Sequence, residues 1–128
     1  MSTNEIKLTE IAERVAACTS CGLSQSRTQT VFGEGNPASP MVIVGEGPGQ
    51  QEDLSGRPFV GKSGQLLDEC LAANKINRKH VYICNVVRCR ACDIENGRAR
   101  NRPPTPEETA SCRPWLAETL SEIGRAHV

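Results

Sequence analysis

At 128 residues the chain supports one domain with a modest core. Fifteen basic residues balance fifteen acidic ones, so a generally basic, polyanion-binding surface is excluded and any nucleic-acid contact must come from local clustering. The first fifteen residues carry Glu5, Lys7, Glu10, Glu13 and Arg14 without an apolar run, and no stretch reaches membrane-spanning length. A cytoplasmic location without membrane attachment is therefore expected, where thiols stay reduced.

Leu8, Ile11, Ala12 and Val15 recur at helical spacing and predict an amphipathic helix over 8–17, running directly into Cys18-Thr-Ser-Cys21. Residues 22–40 read as loop, broken by Gly33, Gly35, Asn36, Pro37 and Pro40. Met41-Val-Ile-Val44 is a short apolar run, the pattern of a strand buried on both faces. Gly45 to Gly61 is rich in Gly and Pro and predicts a long functional loop. Leu66, Leu67, Cys70 and Leu71 form a second helix face, and 81–87 a second buried strand. Thr105-Pro-Glu-Glu108 is a capping box with proline at the first helical position, so a third helix starts near Pro106. Alternating helices and strands predict an α/β fold with a parallel sheet. Two strands are few for such a sheet.

Seven cysteines in a reducing compartment call for something other than disulfides. Cys70, on a helix face, and Cys84, within a strand, are expected in the core. Cys18 and Cys21 form a chelating pair. Joined to Cys89 and Cys92 they make a zinc-type C-x-x-C…C-x-x-C set, which the spacing alone favours. Joined to Cys89 and Cys112 they suit a four-thiolate [4Fe–4S] cluster.

Gly56-Arg-Pro-Phe-Val-Gly61-Lys62-Ser63 matches the phosphate-loop pattern of nucleotide triphosphatases at every fixed position. Such a loop must leave a strand directly, yet residues 49–55 are polar and acidic. The triphosphatase reading is disfavoured accordingly.

Taken together, these segments resemble the type 4, iron–sulfur uracil-DNA glycosylases. The matching stretches are Cys18-Thr-Ser-Cys21-Gly-Leu, Gly33-Glu-Gly-Asn36, Val44-Gly-Glu-Gly-Pro-Gly-Gln-Gln-Glu-Asp53, Gly56-Arg-Pro-Phe-Val-Gly61, Ser63-Gly-Gln-Leu-Leu-Asp68, Val81-Tyr-Ile-Cys-Asn-Val-Val-Arg-Cys89, and Asn101-Arg-Pro-Pro-Thr-Pro-Glu-Glu108 followed by Cys112-Arg-Pro-Trp-Leu116. They lie in the family's order and cover nearly the whole chain. The resemblance implies a three-layer α/β/α fold, removal of uracil from DNA, and a [4Fe–4S] cluster on Cys18, Cys21, Cys89 and Cys112. In one respect the chain departs from the pattern. The linker from Arg90 to Arg102 is several residues longer than the family's and adds Cys92. A related, covalently trapping branch carries a reactive histidine in this segment; none is present here, and trapping is not expected.

The resemblance also distributes roles. A uracil inside a duplex must be flipped into a pocket before its edge can be read. Phe59 takes the stacking position beneath the ring. Asn85, at the C-terminal half of its strand, offers a donor and an acceptor to the pairing edge of uracil. Glu52 is the candidate for stabilising the cationic sugar or orienting water, while Glu46 and Gly47 are expected to line the base pocket. Between Arg88 and Arg102 five arginines face two acids; Arg90, Arg98, Arg100 and Arg102 are the expected DNA contacts.

Members of the resembling family continue into further strands and a late histidine motif that His80 and His127 do not match. Residues 1–128 are thus expected to be a single domain cut short at its C-terminus, impaired in activity as given and monomeric when completed. One back-translation of Glu122 to Val128 contains the opening of a common sequencing adapter, so the last residues are expected to be read-through.

Overall fold

The computed structural model describes residues 2–124; His127 and the rest of 125–128 lie outside them. Ser2 opens the first helix, α1 (Thr3–Ala16), with a capping box in which its hydroxyl accepts the Glu5 N–H while the Glu5 carboxylate accepts the Ser2 N–H. The helix therefore begins five residues before the apolar period starts. The segment expected as loop holds a single helical turn, α2 (Leu23–Ser26), and a two-residue strand, β1 (Glu34–Gly35).

β2 (Val42–Gly45) and β3 (Tyr82–Asn85) pair in parallel, Val42 opposite Tyr82 and Gly45 opposite Asn85. β1 adds to the other edge of β3 in antiparallel sense, giving the order β1-β3-β2. The sheet is thus mixed, and β3 is its centre, buried along its whole length. β2, expected to be buried on both faces, lies instead at the edge of the described sheet, with Val44 and the preceding Met41 exposed. Alternation along β3 sorts the layers. Tyr82 and Cys84 pack with Leu8 of α1 and Leu116 of α5 (Pro106–Glu122) on one face. Ile83 packs with Leu67 and Leu71 of α4 (Lys62–Ala73) on the other, where Phe59 also lies. Helices on both faces make the three-layer α/β/α arrangement.

Two core assignments on α4 are corrected. Leu66 is 61% exposed and Cys70 is exposed, so the buried face of this helix is carried by Leu71 and Gly64 with Leu67 at its margin. Gly64 permits that contact, because a Cβ there would collide with the Phe59 carbonyl. Cys84, in contrast, is fully buried as expected.

The long linker after Cys89 is a β-hairpin, β4 (Cys92–Glu95) against β5 (Arg98–Asn101). Asn96 and Gly97 both take positive φ, 50° and 76°, the geometry of a tight two-residue turn that matches strand twist. Beyond Cys92 both strands are exposed. The backbone is drawn together at the base of the hairpin, where Arg102 N–H donates to the Ala91 carbonyl at 3.1 Å. Among the described residues no helix is long and apolar enough to cross a membrane.

Candidate functional site

The loop after β2 and the end of β3 leave the sheet side by side. Pairing continues beyond the strands, Val86 N–H to Gly45 O and Val87 N–H to Glu46 O, so the two loops diverge from a fixed floor. Above that floor opens a cleft of about 850 Å³. Glu46, Gly47, Glu52, Phe59, Asn85 and Asn101 line it. Five of these were singled out from the sequence; Asn101 was not.

Gly45 is where the floor is tightest. A Cβ on it would run into the Phe59 ring and come within 2.5 Å of Asn85 Oδ1. Ring and amide therefore converge on one glycine, which has to be a glycine for both to approach. Asn85 is only 2% exposed, yet its side-chain amide bonds to no protein group among the described residues. A buried amide with its donors and acceptor turned into a cleft is set up for a ligand with a complementary edge.

Glu52 occupies the wall. It lies on the short helix α3 (Gln50–Ser55), and its carboxylate accepts three backbone N–H groups: Gly49 on Oε1 at 2.9 Å, Val60 and Gly61 on Oε2 at 2.9 and 2.7 Å. Burial opposes the charge, but the bonds from Gly61, Val60 and Gly49 outweigh it and hold the carboxyl below its ordinary range. The same geometry answers the phosphate-loop pattern. Helix α3, not a strand, leads into Gly56, and a carboxylate already sits on the amides that a phosphate would need. Asp53, also missed, is buried and accepts the Thr28 N–H at 2.9 Å, tying α3 to the segment after α2.

A second, smaller cavity lies where the C-terminus of α1 meets α5. Cys18, Cys21, Cys89 and Cys112 line it together; Cys92, at the foot of the hairpin, does not. Three of the four sulfurs receive N–H donors: Trp115 Nε1 to Cys18 at 3.4 Å, Arg27 Nη1 to Cys89 at 3.3 Å, and Arg88 backbone N–H to Cys112 at 3.2 Å. Burial pushes the Cys112 thiol up to about 11 and raises Cys89 as well. Among the described residues no three His, Cys, Asp or Glu side chains close in on a single ion. The donor set nonetheless suits a thiolate-bound group: four cysteines around one cavity, with N–H donors on three of the sulfurs.

The arginines divide in a way the sequence did not suggest. Arg88 is fully buried, bonding Asn85 O at 2.9 Å, Phe32 O at 2.7 Å and Thr119 Oγ1 at 3.2 Å. Arg90 is buried too, with Nε on Asn101 Oδ1 at 2.6 Å. Arg102 is held by Asp93 and Glu108. Arg98 and Arg100, on the outer strand of the hairpin, are the exposed pair of the four expected DNA contacts, and Arg100 reaches Glu95 at 3.3 Å.

The sequence model of the Uracil DNA glycosylase superfamily matches residues 32–128, three quarters of the chain. The chain belongs to that superfamily. It is 50% identical over 123 residues to a type-4 uracil-DNA glycosylase of Thermotoga maritima, covering 96% of this chain and 60% of that protein. A type-4 uracil-DNA glycosylase of Archaeoglobus fulgidus is 42% identical over 116 residues, covering 91% of this chain and 55% of its own. The chain thus spans somewhat more than half the length of these relatives.

Proposed function

We propose that the chain is the larger part of a uracil-DNA glycosylase of the type 4 kind, a cytoplasmic, monomeric DNA-repair enzyme that hydrolyses the bond between uracil and deoxyribose. The observation that carries this reading is the convergence of the Phe59 ring and the unpartnered Asn85 amide on Gly45 at the floor of the cleft. An extruded uracil fits there with its face on Phe59 and its carbonyl and N–H edge on Asn85. Cytosine inverts both groups of that edge, so an amide oriented for uracil meets an acceptor with its oxygen and a donor with its NH2.

In the reaction the C1′–N1 bond breaks, water adds to C1′, and the departing base takes up the proton that water gives away. Positive charge grows on the sugar as the bond stretches. Glu52, fixed as an anion by three amides, is placed on the cleft wall to stabilise it. Glu46 and Gly47 line the path of the base. Arg98 and Arg100 supply phosphate contacts beside the mouth, where Asn101, Arg102 and Pro103 form the rim.

Cys18, Cys21, Cys89 and Cys112 would hold a [4Fe–4S] cluster, which would cross-link the segment after α1, the segment after β3 and α5. The zinc alternative requires Cys92, which stands outside the shared cavity. The test is release of free uracil from a labelled oligonucleotide, with a cytosine oligonucleotide and Asn85→Ala as controls. Uracil release that Asn85→Ala abolishes supports the reading; release that is indifferent to Asn85 overturns it.

A further inference from the structure

The Phe59–Val60 peptide is gripped at both of its polar atoms by opposite charges. Arg78, on the 3-10 turn Arg78–His80 before β3, donates from Nη1 to the Phe59 carbonyl at 2.8 Å. On the far side of the same peptide, Glu52 accepts the Val60 N–H at 2.9 Å. Arg78 also donates from Nη2 to the Pro58 carbonyl at 2.8 Å, so two successive carbonyls are fixed by one planar guanidinium.

The residue between these anchors is under strain. Phe59 has φ 53°, a left-handed conformation that a bulky side chain rarely adopts and that persists only where surroundings impose it. Arg78 is suited to impose it. Its side chain is mostly buried, pinned by Asp68 at 3.1 Å and flanked by Glu34 at 3.6 Å. Its Nε is buried without a partner, so carbonyl bonding by the two terminal nitrogens is achieved while a third donor goes unused. Without Arg78 the Phe59–Val60 peptide keeps the Glu52 bond to its N–H but loses both carbonyl anchors, so the strained φ of Phe59 can relax and carry the ring away from Gly45.

We propose that Arg78 is the positioning residue of the stacking ring: it holds Phe59 in its left-handed conformation and thereby keeps the floor of the base pocket in place. The inference rests on the reading of Phe59 as the uracil-stacking residue. Arg78 touches no substrate and acts only through the two carbonyls.

A double-mutant cycle on the full chain tests it, with kcat/KM for uracil release from a single-stranded oligonucleotide as the readout. Phe59→Ala is expected to lower it about 10- to 100-fold, the scale of losing one base–aromatic stack. Arg78→Ala is expected to lower it roughly 10-fold, and to cost Phe59→Ala less than about 2-fold more, because no ring remains to be positioned. Arg78→Lys keeps the cation beside Asp68 and Glu34 but cannot span two carbonyls; it should match Arg78→Ala in excision while keeping the native melting temperature. Should Arg78→Ala not fold, Arg78→Lys replaces it in the cycle. Losses that multiply in the double variant, or wild-type excision by Arg78→Lys, overturn the proposal and leave the role of Phe59 standing. Full excision by Phe59→Ala overturns both.

Discussion

Arg102 and Glu108 meet in a two-pronged contact, Nη1 to Oε1 at 2.7 Å and Nη2 to Oε2 at 2.9 Å, which ties the end of the hairpin to the first turn of α5. The Arg102 guanidinium, helped by the Thr105 N–H, holds the Glu108 carboxyl down at about 2, against an ordinary 4.5. A carboxyl whose pKa is lower folded than unfolded stabilises the fold above its unfolded value and stops doing so as pH falls through its folded one. Glu108→Gln should therefore cost about 1–3 kcal/mol above pH 5, and the gap should narrow between roughly pH 4.5 and 2. Thermal melts of both proteins across that range measure it. A gap that stays constant down to pH 2 would mean that the ion pair contributes nothing.

Cys112→Ser should abolish iron and sulfide incorporation, whereas Cys92→Ser should leave both unchanged. Iron and sulfide analysis after anaerobic reconstitution decides between the two. The reverse pattern would transfer the ligand role to the hairpin.

Asn85→Ala should cost about 3 kcal/mol of transition-state stabilisation, on the order of 100-fold in kcat/KM, since the base edge loses paired hydrogen bonds in a desolvated site. The loss should be specific to chemistry on uracil. Equal binding of an oligonucleotide lacking the base, by wild type and variant, is the accompanying control.

Arg98→Ala and Arg100→Ala should each lower the salt dependence of oligonucleotide binding by roughly one charge. Arg90→Ala should instead destabilise the fold, because its guanidinium is buried against Asn101. An unchanged salt slope in the Arg98, Arg100 double variant would place the DNA backbone elsewhere.

Gly64→Ala should cost about 1–3 kcal/mol, the scale of overpacking, because the new methyl meets the Phe59 carbonyl rather than open space. Gly97→Ala meets no atom within 4 Å, so its cost should be the smaller one of a strained φ alone. Denaturant melts of the two variants separate crowding from backbone strain.

The sequence was most legible where local chemistry is self-sufficient. Thr105 and Glu108 announce a helix start by hydrogen bonds three residues apart, and the apolar run at 41–44 needs no partner to read as a strand. Leu66 and Cys70 misled because helical spacing says which residues share a face but not which face is turned inward. Asn96-Gly97 is a two-residue hairpin signal, but its flanks, Cys-Asp-Ile-Glu and Arg-Ala-Arg-Asn, are too charged to carry an apolar strand pattern. Arg78 and Asn101 could not be found by any local rule. Their significance is purely tertiary, arising from a carbonyl nineteen residues away and from a cleft wall shared with the loop after β2.

The hairpin leaves the domain after Ala91 and returns at Arg102, with a single backbone hydrogen bond joining the two points. The base of the hairpin serves the domain, Asn101 meeting Arg90 and lining the cleft and Asp93 meeting Arg102, whereas its outer part, 94–99, is exposed. Closing a longer loop costs only a slowly growing entropy, so insertions at this point are thermodynamically cheap. The interval between Cys89 and Cys112 can therefore lengthen at the hairpin tip without straining the cavity that they line with Cys18 and Cys21. A motif written for Cys18, Cys21, Cys89 and Cys112 should accordingly leave the last spacing open, with the variable stretch at the Asn96–Gly97 turn.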